Sequence, residues 1–234
     1  MLKLGMGVFA AAAACVLAAS GGSAFASVSG VSSEGGLSND GTIDWSSLGV
    51  SFTDVTNPFT IATGVSGINA DFSQAGSSNF QRRDQGSGWA GNFGSGENLL
   101  WTLGGNGPMT IVFSSAVRGI GAQIQQDNYG TFSATIEAFD ASGNSLGSFT
   151  RTDGDSNGNG DDSAIFLGLL STATDIKKIT FSVAGSQNFA INGPRIQATG
   201  VTTNAVPLPP AALMGLGVLG AGALKRLRRR NKSA

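Results

Sequence analysis

The sequence predicts an all-β fold, an antiparallel two-sheet sandwich of the jelly-roll type. Short segments between residues 27 and 204 alternate apolar and polar side chains with a period of two, most clearly from Phe132 to Ala138 and from Lys178 to Val183. Turn residues separate these segments, and glycine accounts for 36 of the 234 residues, about twice the usual share. No stretch in this range carries a long helical stripe, so the alternation favours strands throughout.

The first 26 residues are predicted to be a secretory signal peptide. Lys3 supplies a positive start, the run from Met6 to Ala19 is apolar, and the small residues Ala24 and Ala26 precede a cleavage site before Ser27. An uncleaved anchor helix is the alternative, but the apolar run is shorter than the roughly 20 residues that span a bilayer. The mature protein is therefore expected to be exported.

Two features of the composition limit the chemistry of the mature domain. The only cysteine, Cys15, lies in the predicted signal peptide, and the sequence contains no histidine. This excludes disulfides, thiolate or histidine metal sites, and catalysis by serine or cysteine with histidine. Carboxylates remain, but nothing in the sequence indicates that Glu97, Glu137 or an aspartate forms the opposed pair that glycoside hydrolysis needs. We therefore expect a protein that is not an enzyme.

Charge is distributed unevenly along the chain. All fifteen acidic residues lie between Glu34 and Asp175, and six of the fourteen basic residues follow Leu224. The predicted domain thus carries seven basic against fifteen acidic residues, a net charge of about −8. Such a surface repels phosphate, so the sequence argues against nucleic-acid binding.

The domain is predicted to span residues 27–204, with turn signals at Asp140 to Asn144 and Gly104 to Pro108. The nine predicted strands are Val50 to Val55, Phe59 to Val65, Leu99 to Leu103, Met109 to Phe113, Gly119 to Gln125, Phe132 to Ala138, Ser163 to Leu167, Lys178 to Val183 and Phe189 to Ala198. The predicted core comprises Met109, Ile111, Phe113, Ile120, Ile124, Phe132, Ile136, Ile179, Phe181, Val183, Phe189 and Ile191.

A polar segment from Asp153 to Asp162 is a candidate calcium site. Calcium binds six to eight oxygen ligands on a flexible loop, and Asp153, Asp155, Asn157 and Asp161 supply oxygens at a suitable spacing. The pattern is not an EF-hand, because Ala164 occupies the position of the bidentate acid. The alternative is an exposed, solvated hairpin loop.

The stretch from Phe80 to Trp101, predicted to be rich in loops, is a candidate sugar-binding platform. Aromatic faces stack on the C–H surfaces of sugars, while charged groups such as Arg82, Arg83 and Asp84 bind hydroxyls. Trp89 lies between glycines and is the tryptophan expected to be exposed, whereas Trp101 is expected in the core. Packing of these aromatic residues in the core or at an edge is the alternative.

Residues 205–234 have the pattern of a membrane-anchoring tail. The proline-rich segment Val206 to Pro210 precedes fourteen apolar residues, Ala211 to Leu224, and a basic cluster from Lys225 to Arg230. The apolar segment predicts a helix of about 21 Å, short for a hydrocarbon core of about 30 Å. The basic cluster is expected on the cytoplasmic side, with the domain outside. A plain single-pass anchor is the alternative.

This tail resembles the PEP-CTERM sorting signals of Gram-negative bacteria, most closely the VPLPA-type variant. The resemblance covers Val206 to Arg230 and implies that an exosortase-type membrane enzyme recognises Val206, Pro207, Leu208 and Pro209 and removes the tail. The protein would then pass from the inner membrane to the cell surface or extracellular matrix. Leu208 stands where the founding motif has glutamate, and Pro210 extends the proline run, which leaves the subclass of processing enzyme open.

The sequence as a whole predicts an exported, non-catalytic protein of the cell surface or extracellular matrix. Its C-terminal helix is expected to hold it in the inner membrane before processing. The sandwich is expected to serve as a structural or adhesive module. The alternative is a carbohydrate-binding domain associated with exopolysaccharide.

Overall fold

The computed structural model describes residues 27–199, except for 77, 106, 186 and 187. The predicted signal peptide, the predicted sorting motif Val206 to Pro209 and the predicted apolar C-terminal helix lie outside the described residues. Within residues 27–199, no helix is long and apolar enough to cross a membrane. Two short 3-10 helices, Glu34–Gly36 and Trp45–Leu48, accompany the strands.

In chain order the strands are β1 (Val28–Val31), β2 (Gly41–Thr42), β3 (Asp54–Val55), β4 (Phe59–Ala62), β5 (Asn69–Gln74), β6 (Phe80–Gln85), β7 (Gly88–Trp89), β8 (Asn98–Trp101), β9 (Met109–Val117), β10 (Gly119–Gln126), β11 (Gly130–Phe139), β12 (Ser145–Ser156), β13 (Ile165–Ser171), β14 (Ile176–Val183), β15 (Phe189–Ile191) and β16 (Arg195–Gln197).

These strands form two sheets, and the prediction of an all-β, two-sheet sandwich is confirmed. The larger sheet has the order β1-β13-β10-β15-β8-β6-β3, with β16 also beside β10, β2 beside β16, and β7 beside β6. The smaller sheet has the order β12-β11-β14-β9-β5-β4. The strands pair antiparallel except β6 with β7. From β8 to β15 the chain crosses repeatedly between sheets: β8, β10, β13 and β15 belong to the larger sheet, and β9, β11, β12 and β14 to the smaller.

The core lies between the sheets and follows the period-two pattern of the strands. In β11, for example, the alternate residues from Phe132 to Ala138 are buried while the residues between them are partly exposed. All twelve predicted core residues are buried and belong to the main hydrophobic cluster. Their agreement with the prediction is expected, because one side of each sheet must be apolar to exclude water.

The structure corrects the prediction where polar segments form strands. Residues 80–85 were expected in loops but form β6, because they pair with β3 and β8 on either side. Likewise, β12 continues through Ser156, so Asp153 and Asp155 belong to a strand paired with β11 and not to a loop. Pairing with neighbours outweighs the low strand propensity of Asp84 in β6 and of Asp153, Gly154 and Asp155 in β12.

Several predicted strands are too long: Phe59 to Val65 forms a strand only as far as Ala62, and Leu99 to Leu103 only as far as Trp101. In the segment Val50 to Val55, only β3 is a strand, and the side chains of Val50 and Phe52 are 77% and 58% exposed. The segment Phe189 to Ala198 is interrupted between β15 and β16, where Pro194 lacks the N–H that a continuous strand would donate.

The predicted turn after β11 is stabilised by the carboxylate of Asp140. Its Oδ1 accepts hydrogen bonds from the backbone N–H groups of Ser142 and Asn144, both at 2.8 Å, and its Oδ2 accepts one from Asn144 Nδ2 at 2.9 Å. These bonds, with the Asn144 side chain foremost, lower the pKa of Asp140. Gly143 completes the turn with a φ of 84°.

Replacing Asp140 by alanine is expected to lower the melting temperature at neutral pH. Because folding lowers the pKa, the ionised carboxylate stabilises the fold above the unfolded pKa, and this contribution is lost as pH falls through the folded pKa. The difference in melting temperature between wild type and D140A should therefore shrink in acid, as thermal unfolding at a series of pH values would measure. D140N keeps one acceptor oxygen for the turn and should show an intermediate, less pH-dependent effect. A difference for D140A that grows in acid would contradict this account.

Candidate functional site

An aromatic cavity of about 260 Å³ opens on the outer face of the larger sheet. It is lined by Arg83, Gly88, Trp89, Ala90, Trp101, Asp127 and Tyr129. Strand register explains which side chains reach it. Arg83 is paired with Leu99 across β6 and β8, and directly paired residues share a face of the sheet. Leu100 lies on the other face, in the main core, so Leu99, Trp101 and Arg83 face outward.

The two tryptophans of the cavity reverse the exposure expected from the sequence. Trp89 is only 7% exposed, whereas Trp101 is half-buried and lies outside the main core. Trp89 packs with Phe93, Leu99, Ala164 and Ala190 in a small second cluster, against which Trp101 rests. The ring centroids of Trp89 and Trp101 are 6.2 Å apart with the planes inclined at 58°. The prediction that Trp89 is exposed was therefore wrong, although Trp89 does line the cavity.

Arg83 lies between two aromatic rings. Its guanidinium carbon is 4.3 Å from the ring centroid of Phe52 and 4.6 Å from that of Trp101, and one of its nitrogens donates a hydrogen bond to the carbonyl of Gly88 at 2.9 Å. The ion pairs of the described residues are Arg82–Asp84, Arg151–Asp153 and Arg195–Glu34, and none involves Arg83. Arg83 thus presents at the cavity a guanidinium that has no ion-pair partner among the described residues.

The carboxylate of Asp127 and the phenol of Tyr129 come from the connection between β10 and β11. Partial burial raises the pKa of Asp127, an effect that the positive charge of Arg83 opposes. The hydroxyl of Tyr129 donates a hydrogen bond to the carbonyl of Ala90 at 3.0 Å, while the side chain as a whole stays exposed. The cavity therefore combines aromatic faces, a cation and a hydrogen-bond acceptor.

A buried glutamine, Gln125, holds the segment that contains Trp89 and Asn92 against the larger sheet. Gln125 is 1% exposed, and its Oε1 accepts hydrogen bonds from Trp89 Nε1 at 3.3 Å and from Asn92 N at 2.8 Å. Its Nε2 donates to Asn92 Oδ1 at 2.9 Å, Ser156 Oγ at 2.7 Å and the carbonyl of Asn157 at 3.1 Å. Gln125 thereby fixes the position of Trp89 and ties two loops to β10.

Arg82 and Asp84, which the sequence grouped with Arg83, lie elsewhere. Arg82 is paired with Leu100, so its side chain points to the inner face of β6, where it is buried and bonded to Asp84 and Asn98. Sequence reasoning missed Asp127, Tyr129 and Gln125. The available signal was that Tyr129 is the only tyrosine of the chain and falls between two predicted strands.

The candidate calcium ligands are spread over β12 and the loop that follows it. Asp153 forms an ion pair with Arg151 on the same strand, and Asn157 Oδ1 accepts a hydrogen bond from Asn159 N at 3.0 Å. Asp161 accepts a hydrogen bond from Ser163 Oγ at 2.5 Å. No group of three or more acidic, histidine or cysteine side chains that could hold a metal ion occurs in the described part of the chain. For Asp153, Asp155, Asn157 and Asp161, the calcium hypothesis rests on the sequence pattern.

A larger cavity of about 380 Å³ lies at the start of β8 and has a more charged wall. Burial raises the pKa of Glu97 in this wall. However, its two oxygens accept hydrogen bonds from Gly94 N at 3.1 Å and Asn192 Nδ2 at 3.3 Å, and Arg195 is ion-paired with Glu34. Its tryptophan, Trp45, is fully buried. The aromatic cavity is therefore the better candidate for a binding site.

No model of a known protein family matches this chain, and a search of curated proteins found no match to it.

Proposed function

We propose that this protein is an exported, non-catalytic component of the cell surface or extracellular matrix whose β-sandwich binds a neutral glycan in the aromatic cavity. The observation that carries the proposal is the composition of the cavity wall. Two tryptophans, the guanidinium of Arg83 and a carboxylate lie around one opening of suitable size for part of a sugar.

Each of these groups matches a part of a sugar. Aromatic rings stack on the apolar C–H face of a pyranose. The guanidinium of Arg83 donates hydrogen bonds to hydroxyl oxygens, and the carboxylate of Asp127 accepts them from hydroxyl groups. The formal charges of the two side chains cancel, and the surrounding domain is acidic, so polyanions are disfavoured. A neutral polysaccharide is therefore the ligand class.

We further infer that β8 to β15 form a jelly roll. This is supported by the order β13-β10-β15-β8 in the larger sheet, the order β12-β11-β14-β9 in the smaller, and the regular crossing of the chain between them. Eight antiparallel strands in two sheets define that architecture, which occurs among lectins as well as proteins of other functions. The fold is thus compatible with glycan binding, but fold alone does not determine function, and the groups that would bind a glycan are those of the cavity.

The position of the last described residues favours presentation of the cavity away from the membrane. Gln197, near the last described residue, pairs with Gly119 at one end of β10, and Asp127 follows Gln126 at the other end. These ends are separated by the eight residues of β10, about 25 Å. A sorting tail that follows residue 204 would hold the end of the sandwich distant from the aromatic cavity.

Processing is tested by the intact mass of the protein from its native host, with the inner membrane, cell surface and medium analysed separately. We expect a surface or medium species that begins at Ser27 and ends near Val206 to Pro210. A species that retains Arg228 to Arg230 in the inner membrane, with no shortened species at the surface or in the medium, would indicate a permanent single-pass anchor and contradict the exosortase proposal.

Glycan binding is tested by native electrophoresis of the full chain in gels that contain hydroxyethyl cellulose, xylan, galactomannan or alginate. We expect at least one of the three neutral polysaccharides to retard the protein and alginate, a polyanion, not to do so. Retardation by alginate alone would contradict the neutral ligand class. No retardation in any gel, together with no binding on a glycan array, would leave a structural or adhesive module as the better proposal.

A further inference from the structure

We propose that Phe52 forms a second stacking position beside the aromatic cavity, so that the site binds at least two consecutive sugars of a glycan chain. This inference rests on the proposed function and specifies the length of ligand that the site recognises. It concerns a residue that does not line the cavity but adjoins its wall.

Phe52 combines an exposed aromatic side chain with an unfavourable backbone conformation. Its side chain is 58% exposed, and its φ of 71° lies in the left-handed region, which is unfavourable for a bulky residue. Backbone hydrogen bonds hold it there: Phe52 N donates to the carbonyl of Arg82 at 2.8 Å, and Arg82 N donates to that of Thr53 at 2.9 Å. The chain thus fixes an aromatic ring on the surface. Strained conformations of this kind cluster at ligand-binding sites.

The ring of Phe52 is continuous with the wall of the cavity. The Arg83 guanidinium contacts both the Phe52 ring and the Trp101 ring, so the three groups form one surface. Gly88, which lines the cavity, also lies against the Phe52 ring. A Cβ at this position would lie 3.2 Å from two carbons of the Phe52 ring and 2.4 Å from Ser51 Oγ. Only glycine allows the loop around Phe52 to approach β7 so closely.

One sugar cannot occupy both stacking positions, Trp101 and Phe52. A pyranose stacked on Trp101 cannot also cover Phe52, because the guanidinium of Arg83 lies between the two rings. The next sugar in the chain would cross Arg83 and reach the exposed face of Phe52. Binding should therefore strengthen from the monosaccharide to the short oligosaccharides of the same polymer, and Phe52 should supply that gain.

The test uses size-graded oligosaccharides of one to six units from the cellulose, xylan and mannan series. Calorimetric titration with the full chain should show that affinity rises about tenfold from one unit to the longer oligomers of the series that binds. The F52A variant should lose that gain and bind the monosaccharide within about twofold of wild type. V50A, at a neighbouring exposed position of the same loop, is the matched control and should behave as wild type.

Two further variants guard against misfolding as the cause. F52N suits the left-handed backbone and removes the ring, so it should repeat the effect of F52A, whereas F52W should keep the gain. Equal dependence on length in F52A, F52N and wild type would overturn this inference and leave the cavity as a single-sugar site. An equal loss for all lengths would also overturn it, since Phe52 would then act only by supporting Arg83. No binding of any series by wild type would overturn the proposed function itself.

Discussion

Replacing Gln125 by alanine is expected to lower the free energy of unfolding by about 3 kcal/mol, near the upper end for a single substitution. The side chain is buried and bonded to five groups, among them Trp89 Nε1, Asn92 N and Ser156 Oγ. Alanine would leave several of these buried donors and acceptors without partners, and each costs about 1 to 3 kcal/mol unless water or relaxation restores a bond. Urea unfolding followed by tryptophan fluorescence would measure the loss.

The comparison for this prediction is Q81A. Gln81 is half-buried on β6, and its Nε2 donates one hydrogen bond, to Asp54 Oδ1 at 2.6 Å. Loss of this hydrogen bond in Q81A is expected to lower the free energy of unfolding by no more than about 1 kcal/mol. Because Gln125 also fixes Trp89, Q125A should in addition weaken glycan binding in conditions where the protein is folded. Equal stabilities for Q125A and Q81A would show that the loops are held to β10 by other contacts.

Replacing Trp101 by alanine is expected to weaken glycan binding at least tenfold, which corresponds to about 1.4 kcal/mol or more of binding free energy. Its ring forms the accessible aromatic wall of the cavity and supports the guanidinium of Arg83, so the substitution removes a stacking surface and misplaces a donor. Its indole Nε1 has no hydrogen-bond partner among the described residues, so alanine there leaves no orphaned partner. Electrophoresis in a gel that contains the polysaccharide that retards the wild-type protein would show the loss of binding as faster migration of W101A.

Two variants separate stacking from stability in this experiment. W101F keeps an aromatic face and should retain more affinity than W101A. L146A replaces a partly buried apolar residue on β12 in the smaller sheet, so it should alter stability without affecting binding. Undiminished binding by W101A, with folding verified by circular dichroism, would exclude the aromatic cavity as the glycan site.

The sequence was sufficient to assign core residues in strands whose apolar and polar side chains alternate clearly. Ile136 and Phe181 were assigned to the core from alternation, and they pair directly between β11 and β14. The polar strands β6 and the end of β12 could not be assigned in this way. Their residues have weak strand propensity, and they become strands because neighbours with unpaired N–H and C=O groups lie beside them.

The sequence by itself determined that the domain is a two-sheet β-sandwich and which side of its strongly alternating strands is buried, since period-two patterning fixes the faces of a strand. It also indicated Trp89 and Arg83 as candidate sugar-binding residues. Only the tertiary structure decided that Trp89 is buried, that Trp101 faces outward, and that Asp127 joins them. These features depend on the register between β6 and β8 and on which loop covers the outer face, and both are set by contacts between residues far apart in the chain.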